Sequence, residues 1–242
     1  MSARAEKSEA VTPAPTLPPR GETHVWFGGT TAAEPERDLA LLPADERERA
    51  LRHGSTADRA RCAAAWAGTR RILARYLGAD PAALRLERTG AARWSTPGPD
   101  GTPVHLSVAR ADGSWLLALA VGDPVGADLE RIRPLDTEGL AAHCLAPEER
   151  SWLAGLPDGE HTDAFLRAWT RKEALRKAAD LPRTAPRHLP VAADRPGPVT
   201  LAAPHPGDGW TVDDLPAAPD ERAALARPAH CTGPLSRFHA TV

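Results

Sequence analysis

The run Phe165-Leu-Arg-Ala-Trp-Thr-Arg-Lys-Glu-Ala-Leu-Arg-Lys177 constrains this chain more than any other stretch. Read as a helix, it places Trp169, Glu173 and Lys177 at i, i+4 and i+8, on one stripe. An exposed Glu–Lys helix pair is worth only about 0.3–0.5 kcal/mol, but a tryptophan one turn earlier argues against a freely solvated face. Lys172 precedes Glu173 and points about 100° away, toward a different contact. The chain has 27 arginines and only 3 lysines, and two of those lysines flank this glutamate. Where arginine otherwise replaces lysine, the pair at 172 and 177 reads as chemically required.

The second constraint lies upstream, in Val125-Gly-Ala-Asp-Leu-Glu-Arg131. In a strand, residues two apart share a face, so Asp128 and Glu130 project together while Ala127 and Leu129 face the other way. Two neighbouring carboxylates in so apolar a segment repel each other unless a cation lies between them. An isolated pair of this kind is more commonly solvated and partnered by an arginine such as Arg131 or Arg133. Taken with the helix, Asp128, Glu130 and Glu173 read as a three-carboxylate metal site with a lysine beside it.

A length of 242 residues permits one large domain or two small halves. A net charge of −2 gives no reason to expect nucleic acid. Cys62, Cys144 and Cys231 are odd in number and far apart, which points to reduced cytoplasmic thiols rather than a disulfide frame or zinc site. The histidines show no metalloprotease spacing, and no phosphate-binding glycine loop is present. Apolar runs are far short of a membrane span. The first 22 residues, rich in proline, alanine and charge, read as a disordered tail.

Periodicity predicts a strand at 24–27, a charged helix over 43–53 and a long helix over 56–77. A strand at 84–87 and a Pro/Gly loop at 96–102 follow. Three strands are expected at 104–110, 114–121 and 125–130, the first two joined by a hairpin turn at Ala111-Asp-Gly113. Helices are expected at 136–143, 146–154 and 163–179, then weak strands at 198–201, 210–212 and 238–242. A long helix with strands near the middle and again at the end implies an α+β fold. It would have two similar halves, each a long helix packed on a small, mostly antiparallel sheet, divided into residues 23–122 and 123–242 with the active cleft between them.

Gly126-Ala-Asp128-Leu-Glu130, followed about forty residues later by Trp169-Thr-Arg-Lys172-Glu173-Ala-Leu-Arg-Lys177, resembles the 4′-phosphopantetheinyl transferases. The larger, two-half type that activates surfactin-synthetase-like carrier proteins is the nearest. Leu84 to Arg93 is similar to that family's segment ending in Gly-Lys-Pro, Val104-His-Leu-Ser107 to its Phe-Asn-Leu-Ser-His, and Pro43 to His53 to its early charged helix. The resemblance implies a Mg²⁺ held by Asp128, Glu130 and Glu173, with coenzyme A as co-substrate and donor. The acceptor would be a serine of an acyl or peptidyl carrier protein in fatty acid, polyketide or nonribosomal peptide biosynthesis. Glu173 and Lys177 would be catalytic, as base and phosphate-neutralising cation. Arg49, Arg88, Arg93, Ser107 and Lys177 would meet coenzyme A in a monomer.

The chain departs from the family pattern at three places. Ser107-Val108-Ala109 replaces Ser-His-Ser, Ala92-Arg93-Trp94 replaces Gly-Lys-Pro, and Asp180 and Pro182 stand where Gly-x-Gly is usual. His105 is then a candidate substitute imidazole. Alternatives to the transferase are an enzyme of the same fold with another donor or acceptor, and a non-catalytic carrier-binding module.

Overall fold

The computed structural model describes residues 15–30, 34–183, 186–195, 197–201 and 209–240. Most of the expected tail lies outside these residues. Its last part, 15–22, is placed: Leu17 packs on the core, and the Gly21 carbonyl accepts a hydrogen bond from the Gly233 amide at 3.1 Å.

The chain forms a mixed α+β structure with two sheets. The strands are β1 (Thr23–Gly29), β2 (Glu87–Arg88), β3 (Trp94–Pro97), β4 (Pro103–Ala111), β5 (Ser114–Val121), β6 (Gly126–Arg131), β7 (Val199–Leu201), β8 (Trp210–Leu215), β9 (Glu221–Pro228) and β10 (Leu235–His239). The helices are α1 (Pro35–Leu41), α2 (Ala44–Leu51), α3 (Thr56–Leu77), α4 (Thr137–Cys144), α5 (Pro147–Ala154) and α6 (His161–Ala178). One sheet runs β10-β1-β5-β4-β3-β2 and the other β6-β9-β8-β7. All pairings are antiparallel except β1 with β10.

That exception alters the expected division at residue 123. After the second sheet the chain returns, and β10 pairs with β1 in register Thr23 to Leu235. The segment 235–239 therefore belongs to the first sheet, where Phe238 stacks on Trp26 at 4.6 Å.

Alternation in β5 explains how the layers stack. Trp115, Leu117 and Leu119 point to α3, joining Ile72, Leu73 and Tyr76. Leu116, Ala118 and Ala120 point the other way, against Ala127 and Leu129 of β6 and Ala223 and Leu225 of β9. Burial on both faces accounts for the unbroken apolar run of that strand. A third cluster lies between the second sheet and α4 to α6, with Phe165, Ala168, Leu175, Val212, Ala224 and Ala226. The order of layers is thus α3, first sheet, second sheet, α6.

The helix ends obey local chemistry. Ser55 caps α3 by accepting the Asp58 amide at 3.0 Å, and Gly78 closes it in the left-handed region at φ 61°. Arg70 of α3 is 1 % exposed and forks onto Glu46 of α2, with both bonds under 3 Å.

Candidate active site

Strand β6 and helix α6 build the site together. Gly126, Asp128 and Glu130 share the face that α6 covers. A Cβ on Gly126 would sit 2.0 Å from the Ala174 carbonyl oxygen and 2.5 Å from the Ala178 amide, so only glycine lets the helix lie this close. Two residues on, Asp128 Oδ1 accepts a hydrogen bond from Lys177 Nζ at 2.8 Å. Two further on, Glu130 Oε1 accepts from Trp169 Nε1 at 3.1 Å. The strand's period of two is matched residue for residue to turns of the helix, running in the opposite direction.

The opposite edge of β6 is tied to the first sheet. Ser107 Oγ of β4 accepts the Ala127 amide at 2.9 Å, and Lys177 Nζ also donates to the Ala127 carbonyl at 2.9 Å. The residue before Asp128 is therefore held from both sides.

A cavity of about 420 Å³ opens here, of the size of a small-molecule site. Asp128, Glu173 and Lys177 line it, with Ser107, Val108, Arg88, Arg110, Arg176 and Arg183. Four arginines and one lysine thus share the lining with two carboxylates. Arg49 does not line it, but stacks over Trp94 and Trp66, which do, with its guanidinium 4.7 and 6.0 Å from the two ring centres. Arg93 is turned elsewhere, its Nε donating to the Ala178 carbonyl at 2.9 Å. His105 shares the Ser107 face of β4 yet lies outside the cavity lining.

Glu130 lines an adjoining cavity with Arg133, and Arg110 lines both. The three carboxylates do not close on one point. Among the described residues, no group of three metal-type donors within 4.8 Å includes them. Each has a local partner instead: Lys177 for Asp128, Trp169 and more loosely Arg133 for Glu130, and Arg176 in a fork of 2.9 Å bonds for Glu173. Mutual repulsion makes such pairing the favourable arrangement without a shared cation.

Asp128 Oδ2 is the exception, a buried oxygen with no hydrogen-bond partner. An unpaired carboxylate oxygen beside two further carboxylates fits a hard divalent cation. Burial lifts the Asp128 carboxyl to about 6, against the downward pull of Lys177. A raised acid binds its proton more tightly folded than unfolded. Its contribution to stability is thus present below the ordinary value near 4 and lost as pH rises through about 6. The thermal midpoint of the parent is expected to fall across that window relative to Asp128→Asn, which has no such proton. Added Mg²⁺ should restore the parent above about pH 6 and not the variant. Parallel slopes in the two proteins would refute the assignment of Asp128 as the titrating group.

The lysine reading divides. Lys172 is fully buried, pairs with Glu149 at 2.6 Å and donates to the Leu189 carbonyl at 2.6 Å. It is a packing residue between α6 and α5, because its 100° offset aims it away from β6. Lys177 alone reaches the cavity.

Sequence reasoning passed over the contacts at the end of α6. Asp180 stands in the left-handed region at φ 58°, which a short polar residue tolerates, and its Oδ1 accepts the Ala92 amide at 2.8 Å. Aspartate here makes the turn and adds a clasp between α6 and the 88–93 loop. The positive φ was hidden because aspartate does not advertise it as glycine does.

Residues 124–202 match the pattern of the 4′-phosphopantetheinyl transferase superfamily. HetI, a 4′-phosphopantetheinyl transferase of Nostoc sp., is 29 % identical over 216 residues, 85 % of this chain and 86 % of that protein. A 4′-phosphopantetheinyl transferase of Bacillus subtilis is 27 % identical over 150 residues, 62 % of this chain and 65 % of its own length. Sfp of Bacillus subtilis strain 168 is 25 % identical over 145 residues, 60 % of this chain and 62 % of its own. The matched stretch contains both β6 and α6, the two elements from which the carboxylates and Lys177 project. Over β6 and α6 the chain thus matches the 4′-phosphopantetheinyl transferase superfamily, and over most of its length it is similar to proteins named 4′-phosphopantetheinyl transferases.

Proposed function

We propose that the protein transfers 4′-phosphopantetheine from coenzyme A to a serine of an acyl or peptidyl carrier protein, releasing adenosine 3′,5′-bisphosphate. The observation that carries this reading is the unpartnered, buried Asp128 Oδ2 beside Glu173 and Lys177, inside a ring of arginines. Acid at the centre and base at the rim suit a pyrophosphate with its cation. The relatives' names supply the group transferred.

Asp128, Glu130 and Glu173 would hold Mg²⁺, which when bound neutralises phosphate charge and polarises the phosphorus–oxygen bonds. Lys177, anchored on the Ala127 carbonyl, stands at the cavity wall and offers a compact charge to the phosphate. Glu173 accepts the proton of the attacking serine hydroxyl as the new oxygen–phosphorus bond forms and the bond to the departing nucleotide breaks. Arg88, Arg110 and Arg183 line the wall available to the remaining phosphates, and Ser107 fixes the strand behind them. Arg93 then acts by seating the 88–93 loop on α6 rather than by touching coenzyme A.

We read the layers as two halves, the first sheet with α3 and the second with α6, and the cavity as the cleft between them. Its lining supports this, since Trp66, Trp94 and Ser107 come from one and Asp128, Glu173 and Lys177 from the other. Among the described residues no helix is long and apolar enough to cross a membrane, and we place the enzyme in the cytoplasm as a monomer.

Incubating the protein with coenzyme A, Mg²⁺ and an apo carrier protein should add about 340 Da to the carrier, the mass of the transferred group. The gain should disappear with chelator and with carrier lacking the acceptor serine. A carrier that binds yet never gains mass would sink the reading.

A further inference from the structure

Away from the cavity, Asp123, His230 and Cys231 bring a carboxylate, an imidazole and a thiol together, with donor atoms all within 4.8 Å of one another. His230 Nε2 lies 3.0 Å from Asp123 Oδ1. Asp123 sits in the link from β5 of the first sheet to β6 of the second, and His230 and Cys231 in the return from β9 to β10. The return is a fixed turn, with the Cys231 amide donating to the Pro228 carbonyl at 2.9 Å and Thr232 to His230 at 3.0 Å. Both crossings between the sheets thus meet at one place.

A tetrahedral zinc ion, with bonds of about 2.3 Å to sulfur and 2.0–2.2 Å to nitrogen and oxygen, separates its ligand atoms by roughly 3.3–3.7 Å. The imidazole and carboxylate, at 3.0 Å, are already that close, and no pair needs to close by more than about an ångström. We propose that Asp123, His230 and Cys231 form a zinc-class divalent metal site, with a fourth position open to water, that fastens the two crossings together.

The donor set distinguishes this site from the cavity. Thiolate and imidazole suit zinc or cobalt, whereas magnesium favours oxygen donors. Thiolate and carboxylate together balance a dication, and His230, being exposed, is free to turn toward it. Without metal, burial and the neighbouring Asp123 push the Cys231 thiol up to about 11, with Arg227 pulling the other way. Metal must therefore displace the thiol proton, and affinity should fall as pH falls. Arg227 does not occupy the position itself, since its guanidinium donates to the Gly233 carbonyl at 2.8 Å.

Cobalt(II) titrated into metal-stripped protein is the direct test. One equivalent should give a thiolate-to-cobalt charge-transfer band in the near ultraviolet and the visible bands of tetrahedral cobalt. Excess Mg²⁺ should not remove them. Cys144→Ser should keep both features, Cys231→Ser should lose the charge-transfer band, and His230→Ala should weaken binding at least about tenfold. His230 is exposed, so its variant is expected to fold even if that at Cys231 does not. Zinc should raise the thermal midpoint of the parent and not of His230→Ala. No cobalt binding, binding without a charge-transfer band, or a band of unchanged affinity in His230→Ala would each overturn the site. None of these outcomes touches the transferase reading, which is judged by carrier mass.

Discussion

Glu173→Gln is expected to lower single-turnover transfer by at least about a hundredfold, the usual contribution of a positioned general base, while carrier binding persists. The variant keeps the side chain's size and one carbonyl oxygen but loses the charge proposed to hold the metal and the oxygen proposed to take the proton. Glu173 also holds Arg176 in a fork, so the loss must be separated from a structural one. Arg176 has a further hold on the Leu181 carbonyl, and a neutral amide still accepts one bond, so the thermal midpoint should change little. Lys177→Ala should slow transfer as well, because on the proposed reading the phosphate loses a compact cation. A single-turnover assay beside a binding titration with the same carrier decides the matter. Parent-rate transfer by both variants would show the catalytic assignment to be wrong.

Lys172→Ala should act on stability instead, lowering it by about 3–5 kcal/mol, the cost of stranding one member of a buried pair. Its partner Glu149 cannot escape to water. That carboxylate is 7 % exposed and also accepts the amides of Ala146 and Val191, at 2.9 Å each. For a protein of this size the midpoint of thermal unfolding should drop by roughly 6–20 °C. Below that midpoint the residual folded protein should retain its rate per active site. A variant with parent stability and lost transfer would show that Lys172 serves the reaction and not the packing. The two lysines, five residues apart, thus separate by assay: one governs melting, the other rate.

The site was legible where spacing carries geometry. Gly126, Asp128 and Glu130 at a period of two, against Trp169, Glu173 and Lys177 at a period of four, define two faces that suit each other by spacing alone. Lys172 misled because its rarity is the same as that of Lys177, and composition does not record direction. Strand β9, Glu-Arg-Ala-Ala-Leu-Ala-Arg-Pro, was missed for a different reason. Alanine, leucine and arginine favour helix, yet this strand lies between β6 and β8 and is covered on both faces. Small side chains suit α6 lying directly on it, so tertiary packing overrides local preference. Strand β3 escaped because the prolines at 97, 99 and 103 and Gly98 and Gly101 read as loop, and helix α1 is a short segment of seven residues. Asp123 and His230 stand 107 positions apart, with Cys231 one further, beyond any motif spacing, and the cysteine pattern had pointed away from zinc.

The parallel pairing of β1 with β10 carries a consequence for biosynthesis. During translation β1 emerges early and β5 soon covers one of its edges, but the other edge waits for a strand made more than a hundred residues after β5. At about 5–20 residues per second that delay is on the order of ten seconds. Throughout it the nascent chain displays an open, apolar sheet edge bearing Val25, Trp26 and Phe27, the kind of surface that recruits other strands. Ribosome-associated chaperones would meet this protein at β1, and a stalled or truncated message would release a product whose first sheet has no closing strand.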